Sequence, residues 1–426
     1  MRAPRAVSAW VLLMMAASLP SSAQRVTQRG MVEGTGLVYP LESSSGDERW
    51  IGEVLFRQEA SWRPAEWLSL SGAFDARAAT SDWVDRSWSI DWSDRGLKRP
   101  SLSVRRLSAS VHRGGLTFEA GKQLVRWGKA DVLNPTDRFA PRDLLEVVDN
   151  EVLAITAARL TYERGADTLD LVFSPRLTPS RLPLPGSRWA PSLASGALPG
   201  SLPLGAADWP VVVVGSNFPT RPQAGVRWNH VGSGFEYSFT AYDGFNNLPN
   251  SQVSANPIAL RFEVTHTFPA MRMVGGDMAW PLRWFTLKAE AGYFWTTDPA
   301  TDDYGIYVVQ FERQAGEWLI VGGYAGEFVT VTRSNLPAQF TAFDRGLAKT
   351  FLGRASYTID VNRSLAFEGA VRQNGRGVWV KAEYSQTVGQ HWRATARTDL
   401  IGGALDDFLG QYRRNSSARL ILRYSY

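Results

Sequence analysis

The chain has 426 residues, with 46 Lys and Arg against 41 Asp and Glu, 4 His, 17 Trp, 13 Tyr, 20 Phe and no cysteine. The lack of cysteine excludes disulfide frameworks, thiol catalysis and thiolate metal sites, and a formal net charge of +5 is too small to argue for a nucleic-acid partner. A mean hydropathy of -0.20 alongside so many aromatics suits a β-protein with wetted faces and aromatic belts, either a membrane barrel or a carbohydrate-binding sheet.

Arg2 and Arg5 precede an apolar run from Ala6 to about Leu19, and Ser21-Ser22-Ala23 supplies the small residues that signal peptidase reads. A membrane span needs about 20 apolar residues, so this run is too short for one. Residues 1–23 are predicted to be a cleaved signal peptide and 24–426 a single exported domain. Removing Arg2 and Arg5 lowers the formal charge from +5 to +3. After Ala23 no apolar run is long enough for a helical span.

From there the pattern has period two, the signature of strands. Strands begin near Leu68, Arg106, Thr117, Ala157, Thr168 and Gly225. In the next, Phe235, Tyr237, Phe239 and Ala241 oppose Glu236, Ser238, Thr240 and Tyr242. Phe285, Leu287, Ala289, Ala291 and Tyr293 oppose Thr286, Lys288, Glu290, Gly292 and Phe294, and further strands begin near Tyr307, Trp318, Gly353 and Leu365. Val378, Val380, Ala382 and Tyr384 alternate with Trp379, Lys381, Glu383 and Ser385, and residues 392–400 repeat that polarity. The last ten residues, SARLILRYSY, place Ala418, Leu420, Leu422, Tyr424 and Tyr426 on one face and Arg419, Ile421, Arg423 and Ser425 on the other. Taken alone, that segment fits a half-buried strand of a soluble sheet as well as a barrel strand in lipid.

The connections decide between the two. Short turns at 113–115, 164–167, 231–234, 314–316, 360–362 and 388–390 alternate with long loops at about 78–100, 127–150, 175–222, 244–262, 328–347 and 401–415. A soluble sandwich has no reason to sort its loops this way; an outer-membrane barrel does. The expected fold is all-β, a transmembrane antiparallel up-and-down barrel of 16 to 18 strands. Counting back from Tyr426 gives sixteen, and segments 33–41 and 50–60 make eighteen. The segment Ile258–Thr267 breaks the up-and-down parity and is assigned to a folded extracellular loop.

A barrel this wide holds an aqueous channel unless something plugs it. The inferred lumen wall carries Arg159, Arg227, Lys288, Glu290, Arg354, Arg372, Arg393, Arg397, Arg419 and Arg423. Any one of these ions is explained by cross-strand pairing; the whole set implies water inside. Among the loops, 125–150 is densest in charge and turns, with turns at 134–137 and near Pro141 and a short helix expected where Leu144, Leu145 and Val148 share helical spacing. Folded inward, its Arg126, Lys129, Asp131, Asp137, Arg138, Arg142 and Asp143 would set opposite charges along a pore constriction; folded outward, they serve turns. Two other loops carry lesser signals. Arg176, Arg181 and Arg188 suit either an anion-attracting mouth or a proline-stiffened extracellular loop. Asp82, Asp85, Asp91 and Asp94 among Trp83, Trp88 and Trp92 suit a cation or sugar site or a surface loop beside an aromatic belt.

The run Trp127-Gly128-Lys129-Ala130-Asp131-Val132-Leu133-Asn134-Pro135-Thr136-Asp137, followed by Pro141-Arg142-Asp143, resembles a motif of a porin-like outer-membrane family of Gram-negative bacteria. The terminal Tyr424 and Tyr426 resemble the C-terminal signature by which such barrels are recognised for assembly. The resemblance implies an outer-membrane channel for passive diffusion of small solutes, contacts with outer-membrane lipid and, through Tyr424 and Tyr426, with the barrel-assembly machinery. It leaves both a homo-oligomer and a monomer open. The alternative is a non-conducting barrel with a plugged lumen, serving adhesion, assembly or ligand binding. No enzyme, metal site or cofactor is expected, because His112, His230, His266 and His391 are scattered and no phosphate-cradling glycine motif follows a strand.

Overall fold

The computed structural model describes residues 26–43, 48–131, 133–191, 209–333 and 345–426. The expected signal peptide, 1–23, and Val132 of the loop motif lie outside them. The first strands are β1 (Val26–Val38), β2 (Trp50–Ala65), β3 (Leu68–Ala79), β4 (Leu102–Arg113), β5 (Leu116–Gln123) and β6 (Ile155–Arg164). Next come β7 (Asp167–Ser174), β8 (Gln223–Val231), β9 (Glu236–Phe245), β10 (Ala270–Pro281), β11 (Thr286–Trp295) and β12 (Asp303–Ala315). The last are β13 (Trp318–Val331), β14 (Thr350–Asp360), β15 (Arg363–Arg372), β16 (Gly377–Val388), β17 (Trp392–Gly403) and β18 (Ser417–Ser425).

Each strand pairs antiparallel with the next, and β18 returns to β1, with Val38 opposite Ala418 and Met31 opposite Ser425. The result is a closed 18-strand barrel with no free edge. Segments 33–41 and 50–60 do supply the two extra strands. Tight turns, the start of β1 and the end of β18 lie at one rim, where Gly114 and Gly389 adopt φ of 59° and 65°, a left-handed conformation that costs a residue without Cβ nothing. The long connections lie at the other rim. The segment from Ile258 contributes no barrel strand: Arg261–Thr267 pairs antiparallel with Asn250–Asn256 and parallel with Val211–Asn217 in a separate small sheet.

The alternation along each strand places apolar side chains outward and polar ones inward. On β18, Leu420 and Leu422 are 62% and 49% exposed on the outer surface, while Arg419 is buried inside. The strand that periodicity does not single out is β10. Its inward Met271 and Met273 are as apolar as its outward Val274 and Met278, and Gly275-Gly276 breaks the run. The inner wall there is dry because a loop lies against it: Trp127 and Phe139 form one buried cluster with Tyr242, Met271, Met273, Phe294, Tyr304 and Ile306.

Candidate functional site

The connection between β5 and β6, residues 124–154, folds into the barrel and is fastened to its wall on several sides. It begins at Trp127, whose Nε1 donates to Asp170 on β7 at 2.8 Å and whose ring meets Phe139 edge-on, centroids 5.3 Å apart. Phe139 meets Tyr242 on β9 the same way at 5.2 Å. The Asp137 carboxylate closes the run upon itself by accepting the backbone N–H of Gly128 at 2.7 Å and that of Trp127.

The far end of that turn hangs on Glu290 of β11. One carboxylate oxygen accepts the N–H groups of Lys129 and Ala130, both at 3.0 Å; the other accepts the N–H and the Oγ1 hydroxyl of Thr136, both at 2.8 Å. These donors belong to irregular backbone that would otherwise be buried unpaired, so a carboxyl group of the wall does the work that a sheet ladder does elsewhere. Lys129 reaches past it to Glu236 at 2.5 Å and Asp277 at 3.2 Å, and Asp277 also holds Arg227 at 2.6 Å. Asp131 meets Lys288 at 3.4 Å and Gln310.

The loop then swings to the opposite wall. The expected helix over 144–148 does not form: Arg142–Asp143 pairs with Glu151–Val152 as a two-residue ladder, and turns fill the interval. Leu144 and Leu145 are both buried, and each acid in the stretch is pinned by an arginine, which overrides the helical spacing. Asp143 is held by Arg99 at 3.0 Å and Arg181 at 3.1 Å. Burial alone would raise its carboxyl, but the two guanidinium groups outweigh that and hold it well below the usual carboxylate range.

Glu146 and Asp149 both pair with Arg419 on β18, and Asp149 also takes Arg397 on β17 at 3.1 Å. Arg397 and Arg419 are directly opposed across the β17–β18 ladder, a like-charge pair for which the wall supplies one anion, Asp399 beside Arg397, and the loop supplies the others. Burial pushes the Glu146 carboxyl up to about 7 against the pull of Arg419, with Asp149 beside it adding to the rise. Glu151 closes the circuit on β2 and β4, meeting Arg57 at 3.2 Å and Arg105.

Two cavities flank the loop. One, of about 310 Å³, lies toward β15 and β16 and is lined by Asp131, Asp137, Arg138, Arg142, Glu368 and Lys381 among others. The second, of about 290 Å³, lies toward β1–β3 and includes Glu33, Glu53, Arg57, Arg77, Asp149 and Arg423.

Of the seven expected constriction residues, Asp131, Asp137, Arg138 and Arg142 therefore border one cavity together. Arg142 donates to Asn150 at 2.7 Å and Asn134 at 3.3 Å, and Arg138 lies over the Phe294 ring at 4.9 Å. Lys129, half-buried, and Asp143, buried, are fasteners held by their partners, and the Arg126 side chain is 55% exposed, 3.8 Å from Asp137.

The expected wall residues all sit on strands with their polar ends inward. Arg159 binds Asp170 at 2.7 Å, Lys288 binds Glu312 at 2.6 Å, Arg372 binds Asp407 at 3.2 Å, Arg397 binds Asp399 at 2.7 Å and Arg423 binds Glu33 at 2.6 Å. Arg354 and Arg393 are exposed and make no ion pair with a described residue.

Two lesser expectations change. Arg181 lies under the loops with Asp94 and Asp143, and Arg188 donates to the carbonyls of Leu41 and Arg414 with its guanidinium 3.8 Å from the Tyr39 ring, so neither charge faces an open mouth. Asp85 and Asp91 cap their own turns at Ser87 and Ser93. Glu146, Asp149 and Glu151 went unrecognised as fasteners, although the register of β17 and β18, with Arg419 facing Arg397 and Asp399 alone beside them, calls for a further acid from elsewhere.

No family model matches the chain, and no curated protein matches it. Solved structures do. A BenF-like porin from Pseudomonas fluorescens Pf-5 superposes with a TM-score of 0.55 at 9% identity, over 94% of this chain and 98% of that one. This chain has a porin's fold. Acinetobacter baumannii OccAB4 gives 0.54 at 8% identity over 95% and 99%, and Pseudomonas aeruginosa OccK2 (OpdF), solved in complex with glucuronate, gives 0.52 at 9% over 94% and 96%.

Proposed function

We propose that this protein is a passive diffusion channel for small polar solutes in the outer membrane of a Gram-negative bacterium, its lumen narrowed by the inward loop. The observation that carries this reading is a loop fastened to the wall by ion pairs while charged cavities remain on both sides of it. A structure made only to be plugged has no need of polar hollows. The likeness to solved porins, one of them holding glucuronate, supports a small polar solute. The turn rim faces the periplasm and the loop rim the exterior, with residues 1–23 removed on export and Tyr424 and Tyr426 presented to the assembly machinery. Asp131, Asp137, Arg138 and Arg142 line the path, with Arg354 and Arg393 adding positive charge to the wall.

The plugged alternative draws on one observation, the apolar packing of Trp127 and Phe139 against the inner wall. Purified protein in a planar bilayer separates the two. Stepwise conductance supports the channel; its absence, both in the wild type and after deletion of 128–150, would refute it.

A further inference from the structure

Away from the turn rim, the charged residues at outward positions of the described strands are Lys122, Asp243, Arg272 and Asp303. Lys122 is buried against Asp94 at 2.5 Å, and Asp303 is held by Arg333 at 2.7 Å. Asp243 and Arg272 remain open to the outside. They are direct cross-strand neighbours on β9 and β10, and the Arg272 side chain is 63% exposed. Arg221, from the loop before β8, joins them: its Nη2 lies 3.0 Å from Asp243 Oδ1, while Arg272 Nε lies 3.8 Å from the same oxygen. Two guanidinium groups thus share one carboxylate, and the cluster has one positive charge in excess.

The next row toward the barrel's middle is apolar throughout, running Leu160, Leu171, Val226, Ala241, Val274 and Tyr293 by cross-strand register. Between the two rows a groove of about 690 Å³ opens onto the outer surface where Ala158, Ala224 and Ala241 leave room between larger neighbours. Trp295 stands beside Arg272 in register and lies 5.9 Å from the Tyr293 ring, marking the level of the headgroups at the loop rim. An arginine facing lipid is a cost that falls from about 2–4 kcal/mol at the midplane to about 0–1 near the interface. At this level its fork of donors meets headgroups, and a guanidinium fork matches a phosphate bidentately.

We propose that the Arg221–Arg272 pair and this groove form a binding site for an outer-leaflet lipid that carries a phosphate in its headgroup, with an acyl chain in the groove and phosphate oxygens between the two guanidinium groups. The inference rests on the membrane orientation stated above and is independent of whether the lumen conducts. The ligand is a lipid because the apolar groove adjoins the cation pair on the outer surface; a free phosphate would make no use of it.

The test is native mass spectrometry of the full-length protein in detergent, with bisphosphorylated lipid A and its dephosphorylated form as probes. Each variant is first checked for the heat-sensitive gel mobility of a folded barrel. The phosphorylated lipid should be retained about tenfold more than the dephosphorylated one, the ratio corresponding to one charge-assisted hydrogen bond. R221Q/R272Q should abolish that preference, while D243N, which frees both guanidinium groups from their carboxylate, should strengthen it. Equal retention of the two lipids, or an R221Q/R272Q protein that still prefers the phosphorylated form, overturns the proposal. So does inorganic phosphate binding at the same arginines without lipid retention, or a lipid-independent dimer abolished by R221Q/R272Q. A channel that fails to conduct yet retains the lipid would refute only the transport reading.

Discussion

Glu290→Ala removes the acceptor of four hydrogen bonds at once: three from backbone N–H groups of the inward loop and one from the Thr136 hydroxyl. Hydrogen bonds to a charged group contribute about 1.5–3 kcal/mol each, which sets a ceiling of about 6–12 kcal/mol. Water entering the vacated site returns much of this, so the loop's attachment should weaken by about 2–4 kcal/mol. The barrel ladder uses none of these bonds, so the wall should persist while the segment 128–137 comes away from β11. In a planar bilayer the variant should show larger and noisier conductance steps than the wild type, and limited proteolysis should cut within 128–150 while leaving the barrel intact. Thr136→Ala, which deletes the hydroxyl and spares the three backbone bonds, should give a smaller change in the same direction. Wild-type step size together with wild-type protease resistance in Glu290→Ala would refute the claim that this carboxylate holds the loop.

Asp149→Asn leaves Arg397 and Arg419 facing each other with weaker neutralisation and should lower thermal stability by about 1–2 kcal/mol, discounted because Asp149 is partly exposed; an unchanged Tm would show that the wall tolerates the pair. Replacing Arg354 and Arg393 with Ala removes two positive charges from the inner wall, so the reversal potential in a salt gradient should move toward cation selectivity. An unmoved potential would place them off the conducting path. Glu146 has a folded-state pKa raised to about 7, so its contribution to stability is fully present below about 4.5 and is lost as pH rises through 7. The Tm difference between wild type and Glu146→Gln should therefore change between pH 5 and 8, and a constant difference would mean that Glu146 does not titrate there.

The barrel was legible because lipid imposes a strict period on the outer face. Strands such as β16, with Val378, Val380 and Ala382 facing out, carry it in full. It fades at β10, where the inner face is also apolar because Trp127 and Phe139 cover Met271 and Met273, information that no local window contains. Within the loop, the charge density was legible but the division of labour was not. Lys129 and Asp143 have the composition of constriction residues, yet their partners Glu236, Asp277, Arg99 and Arg181 lie far off in sequence and convert them into fasteners. Leu144, Leu145 and Val148 have helical spacing, but tertiary ion pairs on either side fix the backbone in turns. The role of Glu290 was hidden in a different way: an inward glutamate on a barrel wall looks the same whether it faces water or a row of amide groups.

The opposed Arg397 and Arg419 also bear on the order in which this molecule can be put together. Arg419 belongs to the strand that seals the ring against β1, while its counter-ions Asp149 and Glu146 arrive on a segment 270 and 273 residues earlier in the chain. A ring sealed around an empty interior would hold two opposed guanidinium groups with Asp399 as the one anion beside them, leaving Arg419 without its own counter-ion. A loop already lying inside when the last strand docks would give Arg419 its counter-ions as the seam closes, and so would couple the sealing of the ring to the internal bridge.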